Sequence, residues 1–181
     1  MTTPRMLCVI FILALSGCGG TPDNKQPAQP QISSTTPDSA KWSVMDGIEN
    51  PESVFVDTAS GFIFVSNVSG APDQRDGKGF ISKLSNDGKM ITASWVSGFN
   101  APKGLRSHNG TLWTADLDEV IGIDIAGGKI ASRTKIDGAK FLNDVAVGDD
   151  GTVYVSDTVA SRIYAVKDGK SSVFAEGDDI E

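Results

Sequence analysis

Phe62-Ile-Phe-Val-Ser-Asn67, Thr111-Leu-Trp-Thr-Ala-Asp116 and Thr152-Val-Tyr-Val-Ser-Asp157 are three copies of one strand. Each follows a tight turn, closing on Ser60-Gly61, Asn109-Gly110 or Asp150-Gly151, and each ends on a polar residue. A second apolar run follows every copy: Phe80-Ile-Ser-Lys-Leu84, Val120-Ile-Gly-Ile-Asp124 and Arg162-Ile-Tyr-Ala-Val166. Each then meets a Gly-Lys turn, at Gly88-Lys89, Gly128-Lys129 and Gly169-Lys170. Asn-Gly and Asp-Gly between alternating apolar residues are hairpin signals. The period of about 40 residues is the interval of four-stranded propeller blades. The chain is therefore expected to be all-β, a β-propeller with about three blades present of an expected six.

The chain has 181 residues. Arg5 precedes the apolar run Met6 to Leu15, which is far shorter than the ~20 residues of a membrane-spanning helix. The run ends in Ser16-Gly17-Cys18-Gly19-Gly20, the form of a secretory leader with its cleavage region. Leu15-Ser16-Gly17-Cys18 is similar to a bacterial lipobox, so residues 1–17 are expected to be a lipoprotein signal peptide, with Cys18 lipidated. A plain secretory leader is the alternative. Acyl chains would anchor the protein at roughly 0.8 kcal/mol per buried methylene. Gly19 is not the aspartate that holds enteric lipoproteins at the inner membrane, which favours the outer membrane, facing the periplasm. The two cysteines are Cys8 and Cys18, so a mature chain starting at Cys18 has no disulfide. Residues 18–40 are rich in Pro, Gln, Ser and Thr, and read as a flexible tether. The net charge of −7 argues against nucleic acid and against an electrostatic grip on anionic lipid.

Residues 41–181 are then a partial propeller, with blades at about 51–98, 102–138 and 142–176. The first blade carries an insertion, Val68 to Gly79, between its second and third strands. In propellers this connection shares a face with the blade-to-blade links, so Asp73, Arg75 and Asp76 are candidate ligand-face residues, or else solvated loop residues. Three blades leave a strand edge open at each end. The expectation is the N-terminal half of a longer ring, or two copies closing one ring.

Phe141-Leu-Asn-Asp144, followed by Asp149-Asp-Gly151-Thr-Val-Tyr-Val-Ser-Asp157, resembles the family of senescence marker protein (regucalcin), gluconolactonase and luciferin-regenerating enzyme. The resemblance runs from about Trp42 to the C-terminus. It implies a six-bladed propeller holding a divalent metal, commonly calcium, in its channel, and hydrolysis of lactones or related esters. On that resemblance Asn143 is a metal or substrate ligand and Asp144 supports it from behind. Glu49, before Asn50-Pro51, is the matching metal-ligating glutamate, with Glu52 competing for the role. Pro51-Glu52-Ser53 also looks like strictosidine-synthase-type propellers, which lack that metal chemistry. Asn143 and Asp144 can equally be polar residues capping backbone groups at the start of a strand. Calcium takes ~6–8 oxygens, so one glutamate and one asparagine make half a site. No catalytic residue can be named.

Other chemistry is weakly supported. His108 is the lone histidine and sits at a hairpin tip, which leaves no Ser-His pair and no histidine-rich zinc site. Gly77-Lys78 and Gly128-Lys129 lack the remainder of a phosphate loop. Asp73 to Gly79 lacks the spacing of an EF-hand loop. Trp42, Trp95 and Trp113 lie in or beside strands and read as packing residues. Two functions remain in view: a metal-dependent hydrolase of lactones or esters, and a non-catalytic propeller that binds a sugar, peptide or envelope protein. The second is suggested by Arg162-Ile-Tyr-Ala-Val166, which is similar to an NHL repeat.

Overall fold

The computed structural model describes residues 42–178 and 180. The signal peptide, Cys18 and the tether lie outside the described residues. Every regular element among them is a strand. Blade one holds β1 (Pro51–Asp57), β2 (Phe62–Asn67), β3 (Gly79–Ser85) and β4 (Met90–Phe99). Blade two holds β5 (Pro102–His108), β6 (Thr111–Asp116), β7 (Glu119–Asp124) and β8 (Lys129–Lys135). Blade three holds β9 (Leu142–Val147), β10 (Val153–Asp157), β11 (Arg162–Lys167) and β12 (Lys170–Glu176). Each blade is an antiparallel meander with its strands in chain order. The turns fit their residues: Asn109 and Gly110 (φ 46° and 77°), like Asp168 and Gly169 (φ 50° and 72°), both take positive φ. That backbone matches the right-handed strand twist and suits Asn, Asp and Gly.

Alternation along the strands gives each blade two apolar faces. Phe64, Ile81 and Phe99 of blade one meet Leu105, Leu112, Ile121 and Ile123 of blade two in one buried cluster. The opposite face of blade two, with Ala115, Val120 and Ile136, meets Leu142, Val153, Val155 and Tyr164 of blade three. The remaining face of blade one, Ile63, Val65 and Leu84, is covered by Val44 and Ile48 from the segment before β1. Trp42 lies on the β3–β4 turn, where a Cβ on Gly88 would fall 2.4 Å from the indole. The far side of blade three is less covered, and Phe174 is 62% exposed beside Tyr154.

Candidate functional site

Asn67, Asp116 and Asp157 end β2, β6 and β10, and all three are fully buried. Each receives backbone N–H groups from the link that leads into its own blade. Asn67 Oδ1 accepts from Glu49 N at 2.8 Å. The Asp116 carboxylate accepts from Asn100 N at 2.9 Å and Ala101 N at 2.7 Å. The Asp157 carboxylate accepts from Lys140 N at 2.6 Å and Phe141 N at 3.0 Å. These clamps satisfy backbone donors that neither sheet reaches.

The clamps also fix which residues are equivalent between blades. Pro51 pairs with Asn67, Pro102 with Asp116 and Leu142 with Asp157. Immediately after each of these pairs the innermost strand gains a residue over its partner. Such a bulge re-aims side chains and is common beside binding sites. The residues following the paired positions are Glu52, Lys103 and Asn143. One position of the repeat thus places an acid, a base and an amide side by side at one end of the inner strands.

Lys103 is only 2% exposed. Its Nζ donates to Pro72 O at 3.2 Å and lies 5.0 Å from the Phe141 ring centroid. The blade-one loop over residues 68–78 and the start of blade three therefore enclose it from two sides. Burial pushes the ammonium below the ordinary lysine range, and the charges of Glu52, Asp116 and Asp73 pull it back up. Glu52 is open to solvent at its side chain, yet the walls around it remove enough water to raise its carboxyl. Lys103 opposes that rise and Asp144 adds to it. Asp144 reaches this cluster because its neighbour strand has no side chain at Gly104, where a Cβ would fall 2.5 Å from Asp144 Oδ1. Asp144 N also donates to Ser156 Oγ at 3.1 Å.

The loop is tied across the blade-link end. Val68 N donates to Asn50 O at 3.2 Å, and Arg75 Nη1 pairs with Asp118 Oδ1 at 2.8 Å. Partial burial pushes the Asp118 carboxyl up, but the Arg75 hydrogen bond and charge, with Lys135, outweigh it and hold it below the usual carboxylate range. Leu117 takes left-handed backbone (φ 57°) and is buried with Val68 and Ala101 beneath the same face. Asp76 pairs with Lys78 of its own loop at 3.3 Å. Of the three loop residues expected at the ligand face, Arg75 and Asp76 have structural partners, and Asp73 contributes negative charge beside Lys103.

Glu49 does not stand beside Asn143 in the repeat. It lies in the link before β1, and its carboxylate accepts the Ser69 hydroxyl. Glu52 is the residue at the position of Asn143. Among the described residues, no group of three or more His, Cys, Asp or Glu gathers where an ion could be held. Lys103 occupies the equivalent position of the blade between those of Glu52 and Asn143, and its charge acts on Glu52. A divalent ion held by those two side chains would meet that positive charge. The residue that sequence reading passed over is Lys103, and its signal was its place after a proline, in the same position as Glu52 and Asn143.

This architecture defines a β-propeller protein built from four-stranded blades. Similar solved structures include the nidogen/laminin complex, with a TM-score of 0.57 and 18% identity, covering 71% of this chain and 48% of that chain. A catalytically inactive virginiamycin B lyase from Staphylococcus aureus with quinupristin gives 0.53 at 12% identity, covering 80% and 44%. A streptogramin B lyase structure gives 0.50 at 16% identity, covering 70% and 41%. The chain spans under half the length of these structures, and the likeness concerns the fold. No family model and no curated protein sequence matches the chain.

Proposed function

We propose that this propeller binds a small oxygen-rich ligand, anionic or carbonyl-bearing and of the lactone and ester class, at its blade-link end with Lys103 as the anchor. The observation that supports this reading is the enclosed lysine. Its ammonium has three protons to donate and one hydrogen-bond acceptor among the described residues, Pro72 O. A ligand carboxylate or carbonyl oxygen replacing Pro72 O gives a stronger, charge-assisted bond. Moving the loop tip aside means opening the Arg75–Asp118 pair as well as the Pro72 bond, while Val68 stays packed with Ala101 and Leu117 at the loop base. Phe141 offers an apolar wall, and Asn143 supplies both a donor and an acceptor.

Hydrolysis of a lactone or ester is the second reading, favoured by Glu52. A carboxyl raised by its surroundings suits a general base, and Lys103 beside it suits an oxygen that gains negative charge. We further propose that lipid on Cys18 and the tether over 18–40 hold the domain at the outer membrane, facing the periplasm.

Calorimetric titration of the full chain with gluconate and glucono-1,5-lactone, with and without calcium, tests both readings. The binding reading predicts heat with gluconate that disappears in Lys103→Met and needs no calcium. The hydrolase reading predicts lactone turnover that Glu52→Gln slows while binding persists. Absence of heat from either compound overturns the binding reading, and turnover that requires calcium restores a metal to the site.

A further inference from the structure

The two blade-to-blade contacts differ at the hairpin end, opposite Lys103. Phe64 and Trp113 hold the same position, three residues before Asn67 and Asp116. At the first contact Phe64 is fully buried beneath Trp95 of β4, with ring centroids 4.9 Å apart. The same indole reaches blade two, where a Cβ on Gly128 would fall 2.7 Å from Trp95 Nε1. An aromatic ring from the outermost strand thus seals this contact.

At the second contact the outermost strand, β8, carries no such ring. Ser132 pairs with Gly122, and Trp113 lies across that glycine, where a Cβ would fall 2.9 Å from Cζ3 and 2.6 Å from Ser132 Oγ. A cavity of about 440 Å³ is left between blades two and three, lined by His108, Trp113, Ser132 and Thr134 on one side and by Asp150 and Lys167 on the other. Its volume falls within the ~300–1,000 Å³ of small-molecule sites. Asp150 and Lys167 are paired at 2.6 Å across blade three. The ammonium, together with the N–H and hydroxyl of Thr152, holds the Asp150 carboxyl well below its usual range, so it stays ionised.

We propose that this inter-blade groove is a saccharide site. The Trp113 indole meets the C–H face of a pyranose ring, while Asp150, Lys167, Ser132 and Thr134 bond its hydroxyls. The lining suits that ligand class. A sugar needs acceptors and donors beside one aromatic surface, and here Lys167 is paired with Asp150 while Asp168 leaves the lining one negative charge in excess. A phosphate or other anion would face Asp150 with no surplus of positive charge.

Saturation-transfer NMR of the full chain with cellobiose, chitobiose and maltose, each at about 10 mM to detect weak binding, tests the proposal. Transfer from at least one sugar is expected. It should weaken about tenfold or more in Ser132→Trp, which puts a bulky ring into the groove beside Trp113, and in Lys167→Ala, while Lys103→Met leaves it unchanged. Absence of transfer from all three sugars overturns the proposal. So does transfer that survives a folded Ser132→Trp, or that survives Lys167→Ala if Ser132→Trp does not fold. Loss of transfer in Lys103→Met would place the sugar at the blade-link end and overturn it as well.

Discussion

Replacing Asp116 by alanine removes the acceptor for two backbone N–H groups, from Asn100 and Ala101, in the link between blades one and two. Ala101 is fully buried, so its N–H has no access to replacement water. An unsatisfied buried donor costs roughly 1–3 kcal/mol, and a bond to a charged acceptor contributes about 1.5–3 kcal/mol. Burial raises the Asp116 carboxyl above its ordinary range, so its ionised form already carries a desolvation cost that alanine relieves. The expected net loss is about 2–4 kcal/mol, a large fraction of the ~5–15 kcal/mol of a typical domain. Asp116→Asn keeps one acceptor, as Asn67 does in blade one, and should lose about half as much. Urea unfolding of the full chain, followed by tryptophan fluorescence, measures both. Because the folded-state pKa is raised, the advantage of wild type over Asp116→Ala is greatest below the unfolded value near 3.8 and falls as pH rises through the folded value. A loss under about 0.5 kcal/mol in Asp116→Ala, the range of ordinary surface changes, would refute the clamp.

Trp95→Ala should destabilise the protein by about 2–4 kcal/mol, since it empties the space between Phe64 and Gly128; an unchanged melting temperature would mean that blade two does not rest on that ring. Asp118→Asn should lower stability slightly at neutral pH, by about 0.5 kcal/mol. The folded-state pKa of Asp118 is depressed, so this difference is fully present above the unfolded value near 3.8 and is lost as pH falls through the lower folded value, which melting temperatures across a pH series would show. Arg75→Ala should speed tryptic cleavage after Lys78 by about two- to fivefold, the equivalent of an exposed ion pair. Cleavage at the wild-type rate would show that Arg75 does not hold the loop.

Much of the fold was legible because the turns carry their own chemistry. Gly61, Gly110 and Gly151 mark the first hairpin of each blade, and alternating apolar residues mark the strands beside them. The structure has three four-stranded antiparallel sheets. The clamps were visible only as polar strand ends, because their role depends on links that return in space to Asn67, Asp116 and Asp157. The site was less legible. A lysine following a proline reads as a solvated strand start, and it takes the insertion over 68–78 and Phe141 of the next link, both distant in sequence, to enclose Lys103. The extra residue after Pro51, which puts Glu52 in register with Lys103 and Asn143, leaves no mark in the sequence pattern. The covering of Ile63, Val65 and Leu84 by Val44 and Ile48 carried no periodic signal at all.

The most direct test of the account is a paired measurement on Lys103→Met: urea unfolding at pH 7 beside gluconate titration. A buried ammonium with one protein acceptor is held at a cost to stability, and methionine of similar length removes its desolvation while losing one hydrogen bond and a contact with Phe141. Lys103→Met is expected to be at least as stable as wild type, gaining up to about 1 kcal/mol, with the gluconate heat abolished. A variant that loses more than about 2 kcal/mol and still binds gluconate would show that Lys103 only fastens the loop, and would contradict the account.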